Sequence, residues 1–362
     1  MNPLIVSKYT DRIHGIPRYA SELSRLIGNS TLLRYNAPEG AQPTCQHEVY
    51  HERPNTPAPD AIGKFVKHPL QLTRADADIY HAADPREVLP LRMARRRPLV
   101  TTLHDLIVYE FSNAFKRRWT ALSRFYLQFL DSSDRIIAVS ESTKRDAVDR
   151  LGISPEKIDV VYHGIDDRFQ PLSSERQTLE LEDDAVLMVG RPQPRKNHSG
   201  VAAALERLDD RGIESHLYIV GADSADVEQL RNSVKYDGNR IHPTGYVDDH
   251  RLVEYYNAAD VVAVPSYYEG FGFPVLEAMA CETPVVTSDR SCLPEIAGDA
   301  ALFVEPDDPG AIADGIEAVL RDRVVSSELQ QAGLERAKSF TWERTAEQTR
   351  LSYQRAIDTY AQ

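Results

Sequence analysis

Ser266-Tyr267-Tyr268-Glu269-Gly270-Phe271-Gly272-Phe273-Pro274-Val275-Leu276-Glu277-Ala278-Met279-Ala280 is the stretch on which the fold turns. The apolar run just before it, 261–265, lacks polar alternation, as a strand buried on both faces of a parallel sheet does. Gly270 and Gly272 then make a loop whose backbone can approach a ligand and present its N–H groups. Pro274 suits the first turn of a helix, whose positive end would aim at the same point and cradle a diphosphate. Glu269 and Glu277 stand eight positions apart, and carboxylates accept hydrogen bonds from sugar or ribose hydroxyls. The plainer reading of each part alone is a turn and a helix cap; the combination is more specific.

The same alternation of apolar run, turn and amphipathic stretch extends in both directions. Runs 98–103, 135–139, 159–162, 185–189, 216–220 and 284–287 read as further strands. Stretches 142–151, 198–211, 226–234, 249–258, 308–320 and 341–360 read as helices, the last with Thr341 as N-cap. The class is α/β with doubly wound sheets. At 362 residues the chain suits two domains. The polar, proline-bearing break at 166–182 places their boundary near residue 170. Domains are expected at 1–170 and 171–345, with a helix over 346–362 packing back on the first. Stretch 36–62, rich in Pro and Ala with weak periodicity, reads as a mobile loop.

Composition narrows the class of function. Hydrophobic residues are 42% and charged residues 27%, values of a water-soluble globular chain. With a mean hydropathy of −0.42 and no apolar run of membrane-spanning length, no transmembrane helix is expected. Residues 1–8 lack the basic start and apolar stretch of a signal peptide, and Cys45, Cys281 and Cys292 are too scattered for a disulfide framework or zinc site. A cytoplasmic location fits. The net charge of −13 argues against nucleic acid as a partner. It is unevenly spread. Residues 1–170 carry 24 Lys and Arg against 21 Asp and Glu, net +3, and the rest carry 18 against 34, net −16.

Three more constellations bear chemistry. Val189-Gly190-Arg191-Pro192-Gln193-Pro194-Arg195-Lys196-Asn197 lies between a strand and a helix, where fixed cations can hold a diphosphate and stabilise a leaving anion. Strand 99–103 ends at His104-Asp105, and carboxyl ends of strands line ligand sites in open α/β sheets. Gly15-Ile16-Pro17-Arg18-Tyr19, after His14 and the first strand, suits a tight strand-to-helix loop. Asp183-Asp184 and Asp307-Asp308 read as turn or cap residues, so no metal site is expected. Arg92, Arg95-Arg96-Arg97 and Lys116-Arg117-Arg118-Trp119 are basic runs. They read as solvated faces, or as a surface for an anionic acceptor or an acidic membrane, with Phe111, Phe115, Phe125 and Tyr126 as core or interfacial aromatics.

Glu269 to Ala280 resembles the E-G-F-G-x-P-x-x-E-A-M-A signature of the retaining glycosyltransferases of family 4. Similarity continues through 281–288, where Glu282 stands for the family's usual Gly, and 293–301. It also covers Thr101-Thr102-Leu103-His104-Asp105, Ser140, Thr244-Gly245-Tyr246-Val247 and 160–166, where His163 replaces Asn. Pro17 likewise departs from the family's usual Gly.

The resemblance implies the GT-B architecture, two Rossmann-like domains facing each other across a crevice. It implies a nucleotide-sugar donor in the second half and a glycan or lipid-linked acceptor in the first. The implied catalytic set is His104 on the sugar's 6-hydroxyl, Glu269 on its other hydroxyls, and Lys196 with Arg191 or Arg195 on the diphosphate. Gly15, Gly270, Phe271, Gly272, Val275, Leu276, Glu277 on the ribose, and the backbone of Val247 on the base complete the donor site. Retention by front-face attack is implied, with no metal and no cofactor beyond the co-substrate. The expected donor is GDP-mannose or a UDP-sugar; 101–106 and 293–301 look like mannosyltransferase segments, which points to the former. The enzyme is expected in the cytoplasm, with peripheral contact at the inner membrane face. Alternatives are a phosphorylase or epimerase of the same architecture, or a non-catalytic partner subunit. A dinucleotide oxidoreductase is disfavoured, since no Gly-x-Gly-x-x-Gly follows the first strand.

Overall fold

The computed structural model describes residues 1–8, 15–38, 48–52, 72, 76–112, 117–173, 177–234 and 239–361. His14, Cys45, Phe115 and Lys116 lie outside them, as does most of 36–62. The chain divides into two compact units, Met1–Gly164 with Trp342–Gln362, and Ile165–Thr341.

The first unit contains β1 (Pro3–Lys8), α1 (Ile16–Leu26), β2 (Thr31–Ala37), β3 (Glu48–Glu52), β4 (Ile79–Ala82), α2 (Val88–Met93), β5 (Leu99–Leu103), α3 (Ile107–Glu110), α4 (Arg117–Leu127), β6 (Arg135–Ala138), α5 (Glu141–Leu151) and β7 (Ile158–Val160). Its strands form one parallel sheet in the order β3-β2-β1-β4-β5-β6-β7. The order reverses between β1 and β4, so the ligand-binding edge of such a sheet lies at their carboxyl ends. Sequence patterning misses β2, β3 and β4, and β3 falls inside the expected loop 36–62. The reason is polar residues in buried strands. Arg34 of β2 and Glu48 of β3 are 4% and 3% exposed and pair at 3.2 Å, and His81 of β4 is fully buried.

The second unit contains β8 (Ala185–Val189), α6 (His198–Asp209), β9 (His216–Val220), α7 (Ser224–Val234), β10 (Ile241–Pro243), α8 (Asp249–Ala258), β11 (Val261–Val264), α9 (Phe273–Ala280), β12 (Val285–Ser288), α10 (Leu293–Ala297), β13 (Leu302–Val304), α11 (Pro309–Arg321) and α12 (Arg323–Ala337). The sheet is parallel, in the order β10-β9-β8-β11-β12-β13. Its reversal point lies between β8 and β11, which pair through Val186 with Val261 and Leu187 with Val262. Val186, Leu205, Leu217, Ile219, Val261, Ile312 and Ile316 fill the core, all fully buried. Glu282 adopts φ +61°, so the left-handed turn that the family builds with Gly is kept by a glutamate.

The units divide at Gly164/Ile165, earlier than the polar break suggests. Two side chains of α8 satisfy that break's backbone. The Leu172 amide donates to Asn257 Oδ1 at 2.7 Å, and Asn257 Nδ2 donates to the Gln170 carbonyl at 3.1 Å. Buried Glu254 accepts from the Thr178 amide at 3.3 Å. The segment is therefore an edge of the second unit. The last helix, α13 (Trp342–Ala361), packs on α1, β5 and β6 of the first. Thr345 donates to the Tyr162 carbonyl at 2.8 Å, and Tyr353 is fully buried. Among the described residues no helix is long and apolar enough to cross a membrane.

Gly315 of α11 lies where a Cβ would sit 2.8 Å from Val304 Cγ1 and 3.0 Å from Val286 Cγ1, two side chains locked into the sheet. Alanine improves helix propensity by about 1 kcal/mol but overpacks the core at a cost of about 1–3 kcal/mol. Gly315→Ala is expected to lower the urea midpoint; a raised midpoint would refute this packing.

Candidate functional site

The reversal point of the second sheet places two loops side by side. One follows β8 and carries Arg191 to Asn197; the other follows β11 and carries Ser266 to Gly272. They meet at Glu269. Its Oε2 pairs with Arg195 Nη1 at 2.5 Å, and its Oε1 with Lys196 Nζ at 3.3 Å. Ser266 Oγ donates to Oε1 at 3.3 Å. The three side chains are only 11–17% exposed. Burial raises the Glu269 pKa, but Lys196 and Arg195 outweigh it and hold the carboxyl below its ordinary value.

Each loop is fixed from behind. Gly190 adopts φ +105°, and a Cβ there would lie 3.0 Å from Lys196 Cε, so the lysine stem crosses where only glycine fits. Lys196 Nζ also donates to the Val189 carbonyl at 3.2 Å. His198 Nε2 lies 3.0 Å from the Gly190 carbonyl, which can only accept, so Nε2 carries the proton. Burial, with Lys196 nearby, lowers the His198 pKa to about 3, so this imidazole stays neutral. Asn197 caps α6 through Oδ1, which accepts from the Gly200 amide at 3.1 Å, and ties the loop to the Pro306 carbonyl at 2.7 Å. On the other side, Ser291 Oγ accepts from the Glu269 amide at 2.9 Å, and Cys292 Sγ lies 3.2 Å from the Glu269 carbonyl.

Gly272 caps α9 with φ +89°, and a Cβ there would lie 3.0 Å from Leu293 Cδ2. The N-terminus of α9 therefore opens at the same carboxyl edge. Val275 and Leu276 are buried in α9, and Phe271 is buried in the loop. Glu277 lies in the second turn of α9. Its Oε2 accepts from Tyr256 at 2.7 Å. Gly245 and the backbone of 221–222 exchange hydrogen bonds at 2.8 Å, which positions half-buried Val247 after β10. Arg191 is not in the cluster. It is 64% exposed and pairs with Asp226 at 3.0 Å, which leaves Arg195 as the companion of Lys196.

In the first unit His104 follows β5, and its Nε2 lies 2.9 Å from the Ala83 carbonyl. The carbonyl only accepts, so Nε2 is the donor and Nδ1 keeps a lone pair for a hydroxyl. Burial lowers the His104 pKa and keeps the ring neutral. It stacks on His163 with centroids 5.3 Å apart, and Tyr19 of α1 meets both rings edge-on. Beneath them Tyr19, Thr102, His81 and Tyr353 form a hydrogen-bonded chain with links of 2.7–2.8 Å. Gly15 has φ +57°, with nothing among the described residues within 4 Å of where a Cβ would lie, and Pro17 lies in the first turn of α1. Asp105 Oδ1 accepts from the Ile107 amide at 3.0 Å and so caps a turn.

Gly190, His198, Ser291, His81 and Tyr353 are absent from the expected site. The glycine directly after a buried strand was a usable signal for Gly190; His198 bonds back to that glycine only eight positions away, while Ser291, His81 and Tyr353 act across longer separations and leave none. The basic runs are partly structural, since Arg97 pairs with Asp134 and Arg96 donates to the Leu72 carbonyl. Among the run's aromatics Tyr126 is buried, while Trp119 and Phe125 are 42% and 38% exposed.

Two parallel α/β units each place their candidate residues at carboxyl strand ends, where open sheets bind ligands, and sequence comparison identifies the family. The family profile described as Glycosyltransferase Family 4 matches residues 15–169, and that described as Glycosyl transferases group 1 matches 170–339. The chain belongs to this family of GT-B, nucleotide-sugar-dependent glycosyltransferases. It is 32% identical over 286 residues to O-antigen chain mannosyltransferase B of Escherichia coli, covering 76% of this chain and 74% of that one. It is 37% identical over 254 residues to a D-inositol 3-phosphate glycosyltransferase of Geodermatophilus obscurus, covering 65% of this chain but only 55% of that one. A sucrose-phosphate synthase from Thermosynechococcus elongatus shares the fold, with a TM-score of 0.79, 22% identity and 98% coverage of both chains.

His81, at about 3, His104 and His163 are all held neutral by burial. Their folded pKa values lie below the unfolded value of about 6.5. The unfolded chain therefore binds protons first as the pH falls below 6.5, and the folded state loses at most about 1.4 kcal/mol per histidine per pH unit. Both tryptophans, Trp119 and Trp342, lie in the first unit, so their fluorescence reports its unfolding. The urea midpoint is expected to drop between pH 6.5 and 5; a flat profile would contradict the neutral cluster.

Proposed function

We propose that this chain is a retaining mannosyltransferase that uses GDP-mannose. The supporting observation is the Arg195–Glu269–Lys196 cluster at the carboxyl edge of β8 and β11. The cations stabilise the diphosphate as it leaves, so no metal is invoked for that charge. Glu269 has about four lone-pair directions, and Arg195, Lys196 and Ser266 occupy three, which leaves one for a hydroxyl of the donor sugar. In the same reading the amides at the α9 N-terminus face the phosphates, Glu277 the ribose, and the backbone at Val247 the base. His104 Nδ1 accepts from the sugar's 6-hydroxyl. No side chain of the cluster serves as a nucleophile, and retention follows from attack on the face that the diphosphate leaves. Mannose as the sugar rests on the name of the Escherichia coli relative and on the likeness of 101–106 and 293–301 to mannosyltransferases.

A thermal-shift panel of GDP-mannose, UDP-glucose and UDP-GlcNAc tests the donor. Stabilisation by GDP-mannose above the others is expected, and preference for a uridine nucleotide would overturn that assignment. Arg195→Ala and Lys196→Ala are each expected to lower transfer at least about tenfold, the loss of a charge-assisted contact of roughly 1.5–3 kcal/mol. Arg191→Ala, which removes an exposed pair with Asp226, is expected to stay within about threefold of wild type. Equal losses at 191 and 195 would contradict this choice of cations.

A further inference from the structure

The first unit has a second feature at its own reversal point. Lys8 ends β1, Tyr35 lies in β2, and Arg86 and Glu87 follow β4 directly. Helix α4 packs against the short turn Pro85–Glu87 and closes the other side with Trp119 and Tyr126. Together they line a pocket of about 260 Å³. Carboxyl strand ends at a reversal point are where open α/β sheets bind ligands, and none of these residues belongs to the donor cluster.

The lining is mixed in a specific way. Tyr35, Trp119 and Tyr126 supply aromatic surface, with Trp119 42% exposed. Arg86 is held by Asp84 through Nε at 2.6 Å and Nη2 at 3.0 Å, and buried Glu87 accepts from the Tyr35 hydroxyl at 2.6 Å. Those charges already have partners. Lys8 is half-buried and makes no ion pair or hydrogen bond among the described residues. A cation partly withdrawn from water with no counter-ion is a standing cost that an anionic ligand removes. Aromatic walls with a few convergent polar groups suit a compact, hydroxylated ring.

We propose that this pocket binds the acceptor, and that the acceptor is a polar ring bearing an anionic substituent, such as a phosphate, which sits against Lys8 while the ring lies against Trp119. The inference rests on the glycosyl-transfer reading, because it supplies that reaction with its second substrate. It accounts for the lack of a counter-ion at Lys8 among the described residues, which a neutral glycan acceptor leaves unexplained.

Titration calorimetry with mannose 6-phosphate, mannose and inorganic phosphate, on wild type, Lys8→Met and Trp119→Ala, tests it. Mannose 6-phosphate is expected to bind at least tenfold more tightly than either mannose or inorganic phosphate. Lys8→Met should weaken it at least tenfold, and Trp119→Ala should weaken it too. Unliganded melting temperatures show whether the variants fold. Equal binding of mannose and its phosphate, an unaffected Lys8→Met, or inorganic phosphate binding as well as the sugar phosphate would each overturn the proposal. The donor panel on wild type separates the two ideas. If a nucleotide sugar stabilises the protein and no sugar phosphate binds, only the acceptor pocket falls; if no nucleotide sugar binds, the transferase reading falls first.

Discussion

A carboxylate taken out of water must keep its cations, and Glu269 is the carboxylate on which this site depends. The cost of desolvating it is met by Arg195 and Lys196 together, and removing either leaves charge behind in a low-dielectric pocket. The triad spans two loops that are 73 positions apart in the chain. They meet only because β8 and β11 are neighbours at the reversal of the sheet. The glycine at 190, the cap at Asn197 and the neutral ring of His198 then keep the lysine in place. In the proposed reading, a cluster already assembled this way would meet a diphosphate without reorganising at the moment of reaction.

The first unit solves the opposite problem. Around His104 its buried polar groups are neutral hydroxyls and imidazoles. Tyr19, Thr102, His81 and Tyr353 satisfy one another in a chain, and His104 and His163 stack above it. Three imidazoles can share so small a volume because burial keeps them neutral. The hydrogen-bonded chain is completed by Tyr353 of α13, so a helix at 342–361 joins a unit whose sheet ends near residue 160. The contrast suits the roles proposed for the two units, with charge stabilisation in one and hydroxyl recognition in the other.

Charge counting along the chain gives a misleading picture of both. The second unit's acidic excess coexists with a cationic site because position, not sum, decides the local potential. In the first unit much of the basic excess is spent on structure, with Arg34, Arg97 and Arg135 each held by an acidic partner. Lys8, outside every basic run, is half-buried and has no acidic partner among the described residues.

Periodic features were legible in the sequence. Continuous apolar runs marked β5, β6, β8, β9, β11 and β12, since a strand buried on both faces carries its signal in consecutive residues. The loop from Glu269 to Gly272, with Pro274 behind it, was legible for the same reason: glycine and proline act through their own backbone. What sequence could not decide was every feature made by partners distant along the chain. Strands β2 and β4 hide behind Arg34 and His81, whose burial is tolerable only beside Glu48 and Tyr353. Arg191 and Arg195 were equivalent candidates until folding turned one toward Asp226 and the other toward Glu269. Local sequence determined which residue types were available at each strand end; only the tertiary structure decided which of them met, because the energy of a buried charge depends on neighbours brought by the fold.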